Sequence, residues 1–390
     1  MSYNIPQGYK DSPLGIIPKE WEVKRLGEVC TFLDSQRIPI KDADRGEMQG
    51  KYPYYGASGI IDYVNDYIFD DDLILLGEDG ANILMRSTPL AFLVSGKIWV
   101  NNHAHVLKTK QGFNRYYVCN YLETLSYDKY NTGTAQPKLN REVCEKIPVL
   151  LPPEEEQNRI STLMTVWDTS IEKQSELIEK LKLRKRALMQ QLLTGKKRLH
   201  RFSGEWKHIK AGEIFESFSI RGNGNEVLLS ATQEHGVIPR DQLEGRVTMP
   251  TGELNSFKLV EEGDFVISLR SFQGGLEYSQ YRGIVSPAYT VLKPVKEIDK
   301  LFYRFYFKSS DFIGHLAIAV IGIRDGKQIS YDDFCFVKIP YPNIDEQKAI
   351  SCILLEADKE IELANKKLER LQSQKRGLMQ QLLTGKKRIS

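Results

Sequence analysis

Two hydrophobic rhythms alternate along the chain. Ile160, Met164, Trp167, Ile171, Gln174, Ile178, Leu181, Lys185, Leu188 and Leu192 follow spacings of four and three, the seam of a heptad helix. The same register returns at Ile350, Leu354, Ala357, Ile361, Ala364, Leu368, Leu371, Lys375, Leu378 and Leu382. Each stretch follows proline, carries acids in its first turn (Glu154, Glu155, Glu156; Asp345, Glu346) and meets Gly195 or Gly385 at its end, so both read as long helices. Between them the rhythm changes. "DLILLGEDG", "AFLVSGKIWVNNHAHVLKT", "EGDFVISLRSF" and "SPAYTVLKP" are short apolar or alternating runs broken by Gly, Asp, Asn and Pro, the pattern of strands and turns. In each half an aromatic-rich helical stretch ("NRYYVCNYLETLSYDKY"; "DKLFYRFYFKSSDFIGHLA") precedes a polar glycine loop ("NTGTAQPKLN"; "IGIRDGKQIS"). Lys-Ile-Pro (Lys146, Ile147, Pro148; Lys338, Ile339, Pro340) then leads into the long helix.

The chain therefore repeats. "LMQQLLTGKKR" ends both heptad stretches, at 188–198 and 378–388, and the two align without a gap from the preceding proline. A second echo, "EWEVKRLGEV" at Glu20 and "EWKHIKAGEI" at Glu205, opens each half. At 390 residues the chain exceeds what one hydrophobic core supports, which agrees with a duplicated architecture. The expected order is a β-rich domain over 1–152, a helix segment over 153–199, a second β-rich domain over 200–341 and a second helix segment over 342–390. Gln174, Lys185 and Lys375 interrupt the apolar seam, as residues that set register or partner do, and the two helices are expected to pair with each other.

Composition adds little beyond a globular class: 41% hydrophobic, 27% charged and a net charge of +3, which by itself does not establish nucleic-acid binding. The cysteines (Cys30, Cys119, Cys144, Cys335, Cys352) are odd in number, widely spaced and lack a C-x-x-C pair, so they read as buried reduced thiols. No apolar run is long enough for a membrane span and the first residues lack the apolar stretch of a signal peptide, so a cytoplasmic location is expected. Chemistry-bearing motifs are missing. The segment from Gly322 to Gly326 and Lys327 is one residue short of a phosphate-binding loop and continues with Gln328. "GNGNEV" at Gly222 fails the dinucleotide pattern at its third glycine. His103 and His105, two apart on a strand, are expected to face one way, yet no third metal ligand accompanies them. Asp70, Asp71 and Asp72 read as a solvated turn before a strand. The basic runs at Arg184 and Lys196 sit at a helix C-terminus, where the dipole favours them, and are open to solvent, phosphate or a partner.

The duplicated "LMQQLLTGKKR", the Glu-Gln pairs (Glu156, Gln157; Glu346, Gln347), "YYGASGIIDYV", "NNHAHVL", "GGLEYSQYRGIVSPAYTVL" and "GIRDGKQIS" together resemble the specificity subunit of type I restriction–modification systems, over essentially the whole chain. The resemblance implies an α+β protein: two β-rich target-recognition domains separated by two long antiparallel coiled-coil helices, in a pseudo-two-fold internal repeat. It implies recognition of an asymmetric, bipartite double-stranded DNA target, docking of two methyltransferase subunits and, for cleavage, of motor–nuclease subunits. No catalysis is expected of this chain; S-adenosylmethionine, ATP and magnesium would belong to the partners. A self-sufficient metal-dependent nuclease, a methylation-only recognition subunit and a structural coiled-coil scaffold are the alternatives. Base reading is expected from polar and basic side chains on the glycine loops, since Arg and Lys read guanine, Asn and Gln read adenine, and hydroxyls hold phosphates. The candidates are Arg37, Ser58, Asn102, His103, Thr134, Gln136 and Lys138 in the first domain. In the second they are Arg221, Arg270, Ser271, Gln273, Arg324, Lys327 and Gln328.

Overall fold

In the computed structural model, which describes residues 5–243, 254–320 and 329–389, the chain forms two compact units: Met1–Gln174 with Lys367–Ser390, and Ser175–Lys366.

The first unit is built on a four-stranded antiparallel sheet in the order Cys30–Phe32, Ala104–Thr109, Leu73–Gly77, Ala91–Val94. Leu73–Gly77 is apolar at every position before its terminal glycine because both of its faces are covered. Ile74 and Leu76 join a core with Tyr117, Val118 and Leu122 of the aromatic helix Arg115–Thr124. Leu73 and Leu75 join Ile98, Val100 and Val106 on the other side. That second core lies against a further sheet of Gly59–Val64, Gln49–Gly56, Lys97–Val100 and Phe69–Asp70.

The second unit repeats the first sheet: Phe215–Phe218, Thr290–Pro294, Phe265–Ile267, Glu277–Tyr278. The repeat extends to register. Leu107 stands opposite Phe32 and Ile74, and Leu292 opposite Ser217 and Phe265. Counting from these pairs, Thr290 occupies the place of His105, Ser268 that of Gly77, and Arg270 that of Asp79. The core here is aromatic: Phe215 packs against Phe265, Tyr303 and Phe307 at centroid separations of 5.4 Å each, a spacing that favours edge contacts over face-to-face stacking.

The heptad stretches are the helices Glu154–Leu192 and Ile344–Leu382. All their seam positions are buried or half-buried. Within the first unit Ile160 and Met164 share a core with Leu382 and Leu383, and Lys375 Nζ lies 2.5 Å from Asp168 Oδ1. Within the second, Ile350 and Leu354 share a core with Leu192 and Leu193, and Lys185 Nζ lies 2.5 Å from Asp358 Oδ1. In each unit the start of one helix thus meets the end of the other, an antiparallel pairing. The seam lysines are explained by these reciprocal aspartates. The expectation of five buried thiols holds for Cys30, Cys119 and Cys144 only; Cys335 is half-buried and Cys352 exposed on an outward helix position.

Candidate nucleic-acid interface

In the first unit, three loops are stitched together where strand Leu73–Gly77 ends. Glu78 N–H donates to the His103 carbonyl (2.8 Å), Leu139 N–H to the Glu78 carbonyl (2.7 Å) and Gly80 N–H to the Pro137 carbonyl (3.1 Å). The Asn131 side-chain carbonyl accepts from the amides of Gly133 (3.0 Å) and Lys138 (2.8 Å), which curls the glycine loop back on itself. A Cβ on Gly133 would lie 1.8 Å from the Gln136 carbonyl oxygen, so only glycine permits this turn. The turn carrying Ser58 abuts the same place: a Cβ on Gly77 would lie 2.8 Å from the Ala57 carbonyl oxygen.

Beneath these loops is a buried charged cluster. Arg37 Nη1 donates to Glu78 Oε2 (2.7 Å) and the Ala104 carbonyl (2.8 Å), and Arg37 Nε to the Asp34 carbonyl (3.1 Å). His105, 1% exposed, has Nδ1 2.7 Å from Asp34 Oδ2 and Nε2 2.8 Å from the Leu139 carbonyl oxygen. A carboxylate and a carbonyl both only accept, so both ring nitrogens must donate and the ring is an imidazolium. Burial alone would push the His105 pKa down, but the bond to Asp34, the neighbouring Cys144 and the Asp34 charge carry it up to about 10. Burial likewise disfavours an ionised Asp34, yet His105, the Val106 amide (2.9 Å) and Arg37 hold its carboxyl below the ordinary range.

Ser58, Asn102, His103, Thr134, Gln136 and Lys138 are exposed at this end of the unit. Lys138 Nζ lies 3.4 Å from Glu78 Oε1 and His103 Nδ1 2.8 Å from Asp79 Oδ2. Arg37 differs from them, because its side chain is only 13% exposed and its nitrogens bond within the fold. His103 and His105 do not face one way. His103 lies in the turn before the strand, so the alternation of strand side chains does not apply to it. The aspartate run is ion-paired rather than simply solvated: Asp71 with Lys108, and Asp72 with Arg115 at 3.1 Å. Among the described residues no group of three or more His, Cys, Asp or Glu is arranged to hold a metal.

In the second unit Arg270 and Gln273 are exposed on the loop after Phe265–Ile267. Ser271 is 1% exposed, its hydroxyl accepting from the Ser268 amide at 2.8 Å. Arg270 lines a cavity of about 740 Å³ with Thr232, Gln233, His235, Arg240 and Gln242. Arg221 is exposed beyond it, and Arg324, Lys327 and Gln328 lie outside the described residues. The hairpin of Leu229–Thr232 and Gly236–Pro239 supplies Gln233 and His235, which sequence reasoning passed over. Its signal was the polar "TQEHG" between apolar runs, a hairpin pattern. Lys308 fastens this region, donating to Glu277 Oε2 (2.6 Å), the Gly274 carbonyl (3.0 Å) and the Gln233 carbonyl (3.3 Å).

The Glu-Gln pairs at the helix starts have one role in both units. Glu156 Oε2 accepts from Trp21 Nε1 (3.0 Å) and Arg388 Nη2 (2.9 Å). Glu346 accepts from Trp206 Nε1 (3.0 Å) and Arg198 Nε (2.6 Å). Gln157 and Gln347 accept from the amides of Asn114 and Asp299, both at 2.9 Å. The duplicated Trp, Glu-Gln and terminal Arg therefore form one clamp, present twice.

Among the described residues no helix is long and apolar enough to cross a membrane. Comparison with known proteins matches the type I restriction modification DNA specificity domain to residues 18–183 and again to 203–373. The chain is 26% identical over 435 aligned residues to the type I restriction enzyme MjaVIII specificity subunit of Methanocaldococcus jannaschii, covering 100% of this chain and 98% of that one. It is 27% identical over 164 residues to the Escherichia coli type I restriction enzyme EcoprrI specificity subunit, covering 41% and 40%. Among solved structures, the type I restriction–modification S subunit from M. genitalium matches with a TM-score of 0.56 at 15% identity, over 93% of this chain and 96% of that one. A chain from a structure addressing assembly and conformational transition of the type I R-M system matches with a TM-score of 0.54 at 16% identity, over 95% and 99%. With two copies of the domain spanning most of its length, the chain belongs to the specificity subunits of type I restriction–modification systems.

Proposed function

We propose that each unit reads one half of an asymmetric, bipartite DNA target, and that the chain carries no catalytic step of its own. Two methyltransferase subunits dock on it and bring S-adenosylmethionine; motor–nuclease subunits, where they join, bring ATP and magnesium. The observation that carries this reading is the repeated sheet with unlike loops. One framework in one register ends in Glu78 and Asp79 in the first unit and in Leu269 and Arg270 in the second. Asp79 and Arg270, of opposite charge at equivalent positions, make different hydrogen bonds to base edges, since carboxylates accept from cytosine and guanidinium donates to guanine. Half-sites of different sequence follow. Exposed Asn102, Gln136, Lys138, Arg270 and Gln273 are the proposed contacts, with Gln233 and His235 added.

The test is mapping of methylated adenines in cells that make the methyltransferase subunit with and without this chain. The expected result is a two-part motif present only with the chain, and relaxed in one half only by Gln136→Ala or Arg270→Ala. Methylation at the same motif without the chain, or a motif with no gap, would overturn the reading.

A further inference from the structure

The hairpin of Gln49–Gly56 and Gly59–Val64 in the first unit carries an irregularity just past its turn. Tyr54 stands opposite Asp62 and Tyr55 opposite Ile60, so Ile61 is the extra residue of a β-bulge. In a regular strand two successive side chains leave by opposite faces. Here both reach water: Ile60 is 48% and Ile61 52% exposed, and both stand outside the apolar clusters of the first unit. A bulge re-aims side chains, and this one turns two stiff, β-branched ones outward in succession.

The turn fixes where this pair stands. Gly56 leaves room for Ile61: a Cβ there would collide with Ile61 Cδ1 and lie 3.5 Å from Asn101 Nδ2. The Asn101 amide donates to the Tyr55 carbonyl (3.0 Å), and the Asn101 side-chain carbonyl accepts from the His103 amide (2.8 Å). The Ala57 carbonyl abuts Gly77, where strand Leu73–Gly77 ends. The two isoleucines therefore stand beside Ser58, Asn102 and His103, at the end of the unit where the three loops are stitched together. They form an apolar spot among side chains that hydrogen-bond.

We infer that Ile60 and Ile61 read a thymine methyl in the half-site of the first unit. The inference rests on the proposed function and deepens it. Along the major groove the base edges present donors and acceptors, and the C5 methyl of thymine is the apolar group among them. An apolar spot set within polar reading groups is the complement of that edge. Cytosine carries a hydrogen where thymine carries the methyl, so the contact separates T·A from C·G without a hydrogen bond. Stiff side chains on a paired hairpin lose little rotamer freedom when they make it. The half-site read by the first unit therefore contains a thymine whose methyl faces this hairpin.

The experiment is equilibrium binding, by fluorescence anisotropy, of the full chain assembled with the methyltransferase subunit of its system to duplexes bearing the mapped motif. Each thymine of the motif is replaced in turn by deoxyuridine, which lacks only the methyl. The wild type is expected to lose about four-fold in affinity at a thymine of one half-site, the value of one buried methyl. I60S/I61S should bind thymine and uracil there alike, while I60V/I61V, which keeps the apolar surface, should retain the discrimination. Thermal unfolding of both variants should stay close to the wild type, because the side chains are half in water. Uracil tolerated by the wild type at every thymine would overturn the inference without recourse to a variant. A uracil penalty that persists in I60S/I61S would give the methyl to another residue and overturn it equally, with the proposed function intact. A wild-type assembly that methylates no two-part motif would overturn the proposed function itself.

Discussion

The two units solve one problem with different chemistry. Each must hold loops of irregular backbone at the end of the same sheet. In the first unit the fastening comes from within the sheet: His105, on the strand itself, joins Asp34 to the Leu139 carbonyl, and Arg37 joins Glu78 to the Ala104 carbonyl. In the second unit Thr290 stands at the place of His105, and the fastening comes from beyond the sheet, through Lys308 following the helix Lys300–Tyr306. The first arrangement buries an imidazolium and its carboxylate almost completely. The second leaves the Lys308 side chain 26% exposed while Glu277 is 1% exposed. A duplicated framework thus keeps its register while the polar core under each loop set diverges, because register depends on backbone pairing and the charged ties depend on single side chains.

That contrast is open to direct attack. The largest effect is expected from His105→Ala, which leaves Asp34 buried without its partner and should destabilise the chain by about 3–5 kcal/mol. Hydrogen exchange read by mass spectrometry should place the loss in peptides of the first unit, with those of the second unchanged. Next comes pH. The folded His105 pKa of about 10 lies above its ordinary 6.5, so its contribution is whole below pH 6.5 and is lost as pH rises through about 10. Thermal unfolding at rising pH should therefore bring wild type and His105→Gln together on the alkaline side. A constant gap between them would refute the imidazolium. Toward acid, Asp34 acts in the opposite sense: its lowered pKa makes its contribution whole above the ordinary carboxylate value and lost as pH falls through the folded one.

Lys308→Met should cost less, about 2 kcal/mol, because water partly reaches the lysine and already discounts the pair. Exchange should rise at Gly274 and Gln233 and leave the first unit alone. The smallest effect on stability is expected for Arg270→Ala, below about 0.5 kcal/mol for an exposed residue without internal ties. Its effect on discrimination should be larger: about 1–3 kcal/mol against a wrong base pair in one half-site, measured as relative methylation rates on singly altered targets. Equal loss of discrimination in both half-sites would remove Arg270 from the reading surface.

The sequence by itself determined the duplication, the two long helices with their seams, the strand runs and the position of the glycine loop at 131–140. Periodicity records which face of an element is covered, and that is a local, one-dimensional property. Even so, the seam lysines looked like interruptions until Asp168 and Asp358 were found opposite them. Arg37 looked like a free guanidinium on a loop, and only the folding together of residues 34, 78 and 104 showed it tied within the fold. His103 and His105 looked like a matched pair because spacing by two implies one face only while the strand lasts, and it begins at Ala104. The tertiary structure alone decided which charges are spent inside the fold and which remain at its surface, because a charged group's partner is chosen by strand pairing across tens of residues and leaves no periodic trace.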